Sequence, residues 1–352
     1  MITSLEVKNF RGIKNLKLEN LGQINIIAGK NNAGKSSVLE ALSLFLSAPE
    51  GAQAFKDILQ EVLIWRGWYG PQTVEDLFYK KAQSAEIAAV QKGHNALLPD
   101  LYVEQKSSWQ LTLKKEKSHN ALLPDLYVEL RGFNLRAPKL KARFPVSNLV
   151  DPNVLSSFLL SAKFEPGLNF EFITPLTLRK FGYVESLYSF AYERKVVKNS
   201  VKVLKEAYPE VEGFSPLFKA NKWILHVETR HGVYPYYLMG EGFKNAMIIA
   251  FLSSLLKSGY LLIDSAEAFH HPASLKVMAK TIIKGVKENK VQVFLTTHSL
   301  ELIDILIEYG AENGLDGKLI YMKREGEKIN AKVEPFEKAR ELREILGLDL
   351  RG

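Results

Sequence analysis

The residues best suited to chemistry in this chain lie near its start, where a lysine and two serines follow a glycine. They belong to the run Gly-Lys-Asn-Asn-Ala-Gly-Lys-Ser-Ser at residues 29–37, which has the spacing of a phosphate-binding loop. In such a loop main-chain N–H groups bind the phosphates, Lys35 contacts the β and γ phosphates, and the Ser36 hydroxyl ligates Mg²⁺. The sequence therefore predicts a nucleoside triphosphate site whose ligands are Gly29, Asn31, Asn32, Ala33, Gly34, Lys35, Ser36 and Ser37.

The segments on either side of this run match the elements that a phosphate-binding loop requires. Residues 24–28 form a short apolar stretch typical of a buried strand, and residues 38–46 predict an apolar-rich helix that ends before Pro49. The N-terminus of that helix adds a partial positive charge that favours an anion. A chance match in a turn rich in Gly and Asn is the alternative, and the flanking strand and helix argue against it.

Polar residues also end two apolar strands in the last third of the chain. Asp264 ends the run Tyr-Leu-Leu-Ile-Asp, which predicts a Walker B strand with its carboxylate beside the Mg²⁺ ion held by Ser36. A second predicted strand leads into Thr-Thr-His-Ser at residues 296–299, where His298 is suited to contact a γ phosphate. The alternative, a histidine that only satisfies a strand end, is disfavoured by the order of the motifs.

A glycine turn precedes one more predicted helix. Gly240 and Gly242 lie just before residues 246–256, so this helix N-terminus is also able to bind an anion. The adjacent pair His270 and His271 suggests a metal site, but no carboxylate or third histidine stands at ligand spacing. We therefore expect no metal besides Mg²⁺, held by Ser36 and Asp264.

The overall composition limits the class of protein. The chain has 352 residues, 46% hydrophobic and 24% charged, and no cysteine, so disulfides and thiolate metal sites are excluded. No apolar run approaches the roughly 18 residues that span a bilayer, and the first residues do not form a signal peptide, so we expect a cytoplasmic protein. The net charge of +8 permits a polyanionic partner.

Two basic runs carry much of this charge. One spans residues 131–143, and the other places four cations along one side of a predicted helix, namely Arg194, Lys198, Lys202 and Lys205. A solvated surface is the favoured interpretation, and contact with nucleic acid remains open.

The pattern of elements divides the chain into a core and an insertion. Strands, the phosphate-binding loop and a helix are predicted for residues 1–48, and alternating strands and helices from 222 onward indicate a largely parallel sheet. Between them, 50–90 is predicted to be largely helical, 91–150 to form antiparallel strands, and 176–208 to return to helix. We therefore predict an α/β core at 1–48 and 222–352, with an inserted helical and β region at 49–221.

One segment occurs twice. Residues 94–104 recur letter for letter at 119–129, which chance does not produce. A local duplication, an error in the recorded sequence and a paired binding element all remain open, and two copies are too few for a solenoid.

Taken together, the motifs resemble those of the ABC-type ATPase heads of the OLD, RecF and SMC group. The resemblance is carried by Asn-Phe-Arg-Gly at 9–12, the phosphate-binding loop, the glycine turn, Leu-Ile-Asp at 262–264 and Thr-Thr-His-Ser. It is closest to small AAA-family ATP-binding proteins of the OLD-like branch in archaea and bacteria. It covers residues 1–48 and 222–352, and it implies a P-loop NTPase fold that binds ATP and Mg²⁺.

The resemblance also implies a homodimer around two ATP molecules. Each site would combine the phosphate-binding loop, Asp264 and His298 of one subunit with Gly240 and Gly242 of the other. Arg11 would lie near the phosphates, and residues 267–272 would form an interfacial loop. The glutamine of the family's Q-loop has no assignable position.

One position departs from the family pattern. Such heads carry a glutamate directly after the Walker B aspartate, whereas this chain has Ser265. A serine cannot act as a base near neutral pH, so a general-base contribution of about 10²- to 10⁴-fold is absent unless another group supplies it. Glu267 is the nearest candidate, and we predict tight ATP binding with slow hydrolysis.

Two functions remain open at this point. The first is an ATPase that acts on DNA, and the second is an ATP-gated module that controls a separate effector protein. No acidic cluster of a TOPRIM nuclease occurs, so any nuclease would come from a partner. A small-molecule kinase or GTPase is a third possibility, although no Asn-Lys-x-Asp motif for guanine is present.

Overall fold

The computed structural model describes residues 1–67, 71–92, 107–116, 125–132, 138–149, 169–180, 182–219, 221–268 and 270–344. The first copy of the repeated segment lies outside these residues, as do residues 119–124 of the second copy. The rest of the second copy belongs to a strand of the first sheet below.

The described strands form three sheets. An antiparallel sheet, in the order β2-β1-β4-β5-β6-β7, contains β1 (Ile2–Phe10), β2 (Ile13–Glu19), β4 (Ser84–Gln91), β5 (Ser107–Glu116), β6 (Asp125–Gly132) and β7 (Leu140–Pro145). A core sheet, in the order β15-β14-β3-β13-β12-β8, contains β3 (Ile24–Gly29), β8 (Phe170–Ile173), β12 (Tyr260–Ile263), β13 (Gln292–Thr296), β14 (Gly317–Glu325) and β15 (Lys328–Pro335). A small antiparallel sheet contains β9 (Val211–Lys219), β10 (Lys222–Thr229) and β11 (Gly232–Pro235).

Helices cover the sheets. They are α1 (Lys35–Ser47), α2 (Ala52–Trp65), α3 (Pro71–Glu75), α4 (Val146–Leu149), α5 (Tyr183–Glu193), α6 (Val197–Leu204), α7 (Glu241–Leu255), α8 (Pro272–Asn289), α9 (Leu300–Glu312) and α10 (Phe336–Glu344). Among the residues that the structure covers, no helix is long and apolar enough to cross a membrane.

The core sheet has the character expected of parallel strands covered on both faces. β3, β12 and β13 are buried along their whole length, and β3 pairs in parallel with both β13 and β14. Only β15 runs antiparallel, at one edge. This sheet confirms the predicted α/β fold, and its strand ends carry the polar residues of the site.

Helix α1 lies between the two larger sheets. It contacts β1 and β4 on one side and β3, β8, β12 and β13 on the other, and nearly all of its residues are buried. The side chain of Gln292 ties the sheets together, because it accepts a hydrogen bond from the N–H of Ile2 at 2.8 Å and donates to the carbonyls of Ile2 and Gly22. The phosphate-binding loop therefore sits on a rigid support.

The strand pairing crosses the predicted boundary between core and insertion. β4 to β7, from the supposed insertion, extend the sheet that β1 begins, and β8 forms an edge of the core sheet beside β12. β10 and β11, predicted within the core, belong instead to the small sheet. The prediction of helix for residues 84–91 was wrong, because these residues form β4 and pair with β1. This partner strand is more than 70 residues away in the sequence, and local patterns do not reveal such a distant pairing.

Candidate functional site

The phosphate-binding loop connects the end of β3 to the start of α1. Gly29 has a φ of +143°, and a Cβ atom there would lie 2.1 Å from the carbonyl oxygen of Met322. Gly34 precedes α1 with a φ of +95°, and Asn32 is also left-handed. Such backbone angles are open mainly to Gly and Asn, which explains why the loop needs these residues.

Lys35 is buried in this loop. Its Nζ atom donates hydrogen bonds to the carbonyl oxygens of Gly29 at 2.8 Å and Lys30 at 3.0 Å. Burial lowers the pKa of Lys35 from its usual value, and the negative charges of Asp264 and Glu267 partly oppose that change. A phosphate group here would supply the full counter-charge that the carbonyl oxygens lack.

Asp264 follows directly after β12 and is buried. The Thr296 hydroxyl donates to its Oδ1 atom at 2.6 Å, and the indole N–H of Trp65 donates to its Oδ2 atom at 3.2 Å. Thr296 in turn accepts the backbone N–H of Ser265 at 2.8 Å. The strand ends of β12 and β13, together with the end of α2, thus fix the position of the carboxylate.

These groups line one cavity of about 990 Å³. Its wall brings together most of the predicted site residues, namely Arg11, Asn31, Asn32, Gly34, Lys35, Ser36, Ser37, Asp264 and His298. Ser265 and Thr296 also line it. Five of the predicted site residues are not part of this wall, namely Gly29, Ala33, Glu267, Gly240 and Gly242, and Ala33 is buried.

Glu267 contacts the backbone beside His298. Its Oε1 atom accepts the N–H of His298 at 2.9 Å, and its Oε2 atom is buried without a hydrogen-bond partner among the described residues. Ser265, by contrast, is in the cavity wall. Glu267 is therefore placed to hold the main chain of His298 in position, and it is not among the residues that line the cavity.

Comparison with known proteins gives the family of this chain. A family model described as "AAA domain, putative AbiEii toxin, Type IV TA system" matches residues 24–304. The chain belongs to this AAA-domain family.

Relatives and solved structures agree with that assignment. An uncharacterized protein of Methanocaldococcus jannaschii is 50% identical over 229 residues, which cover 64% of this chain and 95% of that protein. A Helicobacter pylori protein named ATP/GTP phosphatase is 26% identical over 337 residues, 87% of each chain. The structure of an Smc head domain from Pyrococcus furiosus, bound to the C-terminal domain of ScpA, matches with a TM-score of 0.59 at 15% identity, over 99% of each chain.

This chain accordingly is a P-loop ATPase of the AAA-domain family and has the fold of an SMC ATPase head. The resemblance to ABC-type heads of the SMC and RecF group is confirmed. The likeness to the Smc head concerns the fold alone, since the two sequences are so different.

The oxygen atoms in the cavity suit a nucleotide with Mg²⁺. The Ser36 hydroxyl and the Asp264 carboxylate are ligand types that this ion prefers, and the ion usually takes its remaining ligands from phosphates and water. A side chain at residue 34 would be crowded, because its Cβ atom would lie 3.0 Å from the Ile329 side chain, and glycine avoids this contact. Among the described residues, no group of three or more His, Asp or Glu side chains could hold a metal without such help.

Arg11 lines the cavity, but its guanidinium is already engaged. It donates to Glu40 Oε2 at 2.9 Å and to the carbonyl oxygen of Val62 at 3.2 Å, while Arg66 binds the other oxygen of Glu40. Glu40 is fully buried in α1. Arg11 therefore anchors α1 and α2 to each other in this structure, and its charge stands at the edge of the cavity.

Gly240 and Gly242 lie at the N-terminus of α7, where Gly240 is exposed and Gly242 is half-buried. Gly240 has an ordinary φ of −59°, and no atom lies within 4 Å of the position a Cβ atom would take. Neither the backbone nor the packing of this subunit thus requires a glycine at residue 240.

Several residues of the cavity were not predicted from the sequence. Trp65 and Arg66 reach the site from the end of α2, and Arg324 donates to the carbonyl oxygens of Asn32 at 2.7 Å and Gly12 at 2.8 Å. No local pattern marks these three side chains. Glu40 could have been noticed, because a lone acid in an apolar helix indicates a buried cationic partner.

Proposed function

We propose that this AAA-domain protein is a slow ATPase that closes as a homodimer around ATP and acts on DNA. The observation that carries the proposal is an incomplete site. Lys35, Ser36, Asp264 and His298 share one cavity, whereas Gly240 and Gly242 lie outside it, and the space in front of Gly240 is open. A second copy could place its α7 N-terminus against the triphosphate, where the helix dipole favours negative charge.

The residues of the cavity have distinct roles in this proposal. Lys35 exchanges its carbonyl partners for phosphate oxygens, Ser36 and Asp264 hold Mg²⁺, and His298 hydrogen-bonds the γ phosphate. Mg²⁺, when bound, supplies the charge that neutralises the phosphates. Glu267 keeps the main chain of His298 in place through its hydrogen bond to that N–H. The proposal thus assigns residues to binding and orienting the nucleotide, but it assigns none to activating the attacking water.

Substitution of Gly240 tests the dimer. Because Gly240 is exposed and has open space around it, Gly240→Trp should fold normally and still bind ATP in its own cavity. The bulky side chain should block the partner's nucleotide, so the ATP-dependent dimer should disappear in light scattering with Mg²⁺ and non-hydrolysable ATP. Binding of ATP to the monomer is the internal control.

Two outcomes contradict the proposal. One is a wild-type protein that stays monomeric with saturating nucleotide; the other is a Gly240→Trp variant that dimerises as well as the wild type.

An ATP-gated module that controls a separate protein is the second candidate. Ser265 in the cavity wall favours it, since a protein that holds ATP without rapid hydrolysis can serve as a switch. Salt dependence separates the two functions. Binding to DNA through several phosphates weakens steeply as salt rises, whereas a protein partner is far less sensitive.

A further inference from the structure

The hairpin of β9 and β10 carries its apolar face beyond the protein core. Phe214 pairs with Val227 in the register of this hairpin, and both are buried. Four residues closer to the turn on each strand, Phe218 pairs with Trp223. These two residues lie on the same face as Phe214 and Val227, because side chains alternate between the faces with a period of two. Phe218 is 59% exposed and Trp223 is 63% exposed, so the buried apolar stripe ends in two uncovered rings.

These two rings support each other at the tip of the hairpin. Their centroids are 5.3 Å apart and their planes are inclined by 58°, a geometry typical of a stable aromatic pair. The pair is therefore held by the hairpin while much of its surface faces solvent. Exposure of this apolar surface to water is unfavourable in free energy, and a ligand with flat apolar faces would cover part of it.

The opposite face of the same tip is basic. Lys219 and Lys222 stand directly across from each other in the register, and both are exposed. Within the described chain neither lysine forms an ion pair with a carboxylate. Like charges at directly opposed positions destabilise a hairpin, so an anionic ligand would relieve this repulsion.

Further positive charge lies at the base of the hairpin. Helix α6 packs against β9, and its exposed side carries Lys198 and Lys202, with Lys205 directly after its last turn. The nearby acid Glu206 is already paired with Lys280. Cations thus stand at the tip and at the base of the hairpin, with the acidic residues Glu212 and Glu228 of β9 and β10 between them.

We infer that this hairpin tip binds single-stranded nucleic acid. Bases stack on Phe218 and Trp223, while phosphates contact Lys219 and Lys222, the combination of aromatic and cationic groups that such strands require. A duplex hides the faces of its bases, so the uncovered rings favour a single strand. The inference rests on the DNA role proposed above and assigns that role a surface.

Binding of fluorescent oligothymidylate to the full chain, measured by anisotropy without nucleotide, tests this inference. Phe218→Ala and Trp223→Ala should each weaken binding by about tenfold, the loss expected for one stacked base. Trp223→Phe should retain most of the affinity because it keeps a ring. Tyr192→Ala is the matched control, since Tyr192 is 67% exposed on α5 but lies outside the hairpin, and its binding should equal that of the wild type.

Salt dependence tests the lysines separately. Replacement of both Lys219 and Lys222 by Gln should reduce the slope of log affinity against log salt by about 1.4, or about 0.7 for each phosphate that the variant no longer neutralises. Circular dichroism and thermal unfolding should show an intact fold for every variant, because the altered side chains are exposed.

Three results would overturn the inference. They are unchanged binding by both alanine variants, duplex binding as tight as single-strand binding, and binding to phosphatidylserine vesicles through the tip without binding to oligothymidylate. A protein that dimerises with ATP but ignores oligothymidylate contradicts the tip assignment alone. A protein that binds oligothymidylate through the tip but never dimerises contradicts the proposed dimer alone.

Discussion

At the scale of single residues, two neighbours of Asp264 differ in where they point. Ser265 is in the wall of the nucleotide cavity, whereas Glu267 accepts the N–H of His298 and keeps its second oxygen buried. In the proposed ATPase, the Glu267 carboxylate positions the main chain of His298 through that hydrogen bond. Ser265 offers the cavity only a hydroxyl, which is a poor base at neutral pH.

Replacement of this hydroxyl by a carboxylate should accelerate hydrolysis. Ser265→Glu should raise the ATP turnover rate, up to the roughly 10²- to 10⁴-fold that a positioned general base contributes. Ser265→Gln is the matched control, because glutamine has nearly the shape of glutamate but no basic carboxylate. The turnover rate of Ser265→Gln should stay near that of the wild type. Rapid turnover by the wild-type protein, with no gain from Ser265→Glu, would contradict slow hydrolysis.

At the scale of elements, the segment between β12 and α8 determines how the site is arranged. It carries Asp264 at its start, Ser265 in a left-handed conformation with a φ of +54°, and Glu267 further on. It is tied to the core sheet, because the N–H of Ala266 donates to the carbonyl of Thr296 at 2.9 Å. The same segment half-buries His270, whose Nδ1 atom lies 3.1 Å from the Ser274 hydroxyl.

The half-buried His270 should make the free energy of unfolding depend on pH. Burial lowers the pKa of His270 from 6.5 to about 4, and its Nε2 atom has no hydrogen-bond partner in the described part of the chain. Between pH 6.5 and about 4 the unfolded chain binds a proton that the folded chain rejects. The free energy of unfolding should therefore fall with falling pH in this window, by up to about 1.4 kcal/mol per pH unit.

Urea unfolding at several pH values measures this effect. His270→Gln should lose less stability between pH 6.5 and about 4 than the wild type does. His271→Gln, which replaces an exposed histidine, should lose as much stability as the wild type. Equal pH dependence for His270→Gln and the wild type would show that His270 does not carry the effect.

The elements near the site were largely predictable from local patterns, because each motif lies next to an apolar run that predicts a strand or a helix. The apolar run before Gly29 became β3, and the apolar-rich run at residues 38–46 became most of α1. Trp65 could not be assigned to Asp264, since the two residues are 199 positions apart and no pattern encodes that contact. For the same reason, the pairing of β4 with β1 was not foreseen.

At the scale of the whole molecule, one helix connects the nucleotide to both large sheets. α1 starts at Lys35 and packs between the antiparallel sheet and the core sheet, which Gln292 joins where β1 and β13 begin. Displacement at the phosphate-binding loop is therefore resisted by both sheets. The helix that carries Gly240, α7, packs instead with α5, α6 and α8 on the other face of the core sheet. Closure of two copies would join these two regions across the dimer, as we propose.

The account depends most on the capture of a triphosphate by Lys35, Ser36 and Asp264. Calorimetric titration of the purified protein with ATP, in the presence and absence of Mg²⁺, measures this directly. The wild type should release Mg²⁺-dependent heat, and Lys35→Ala should lose at least about tenfold in affinity, the value of a hydrogen bond to a charged group. Lys30→Ala, at an exposed lysine of the same loop, should bind as the wild type does. No Mg²⁺-dependent heat for the wild type, or equal affinity for Lys35→Ala, would contradict the account.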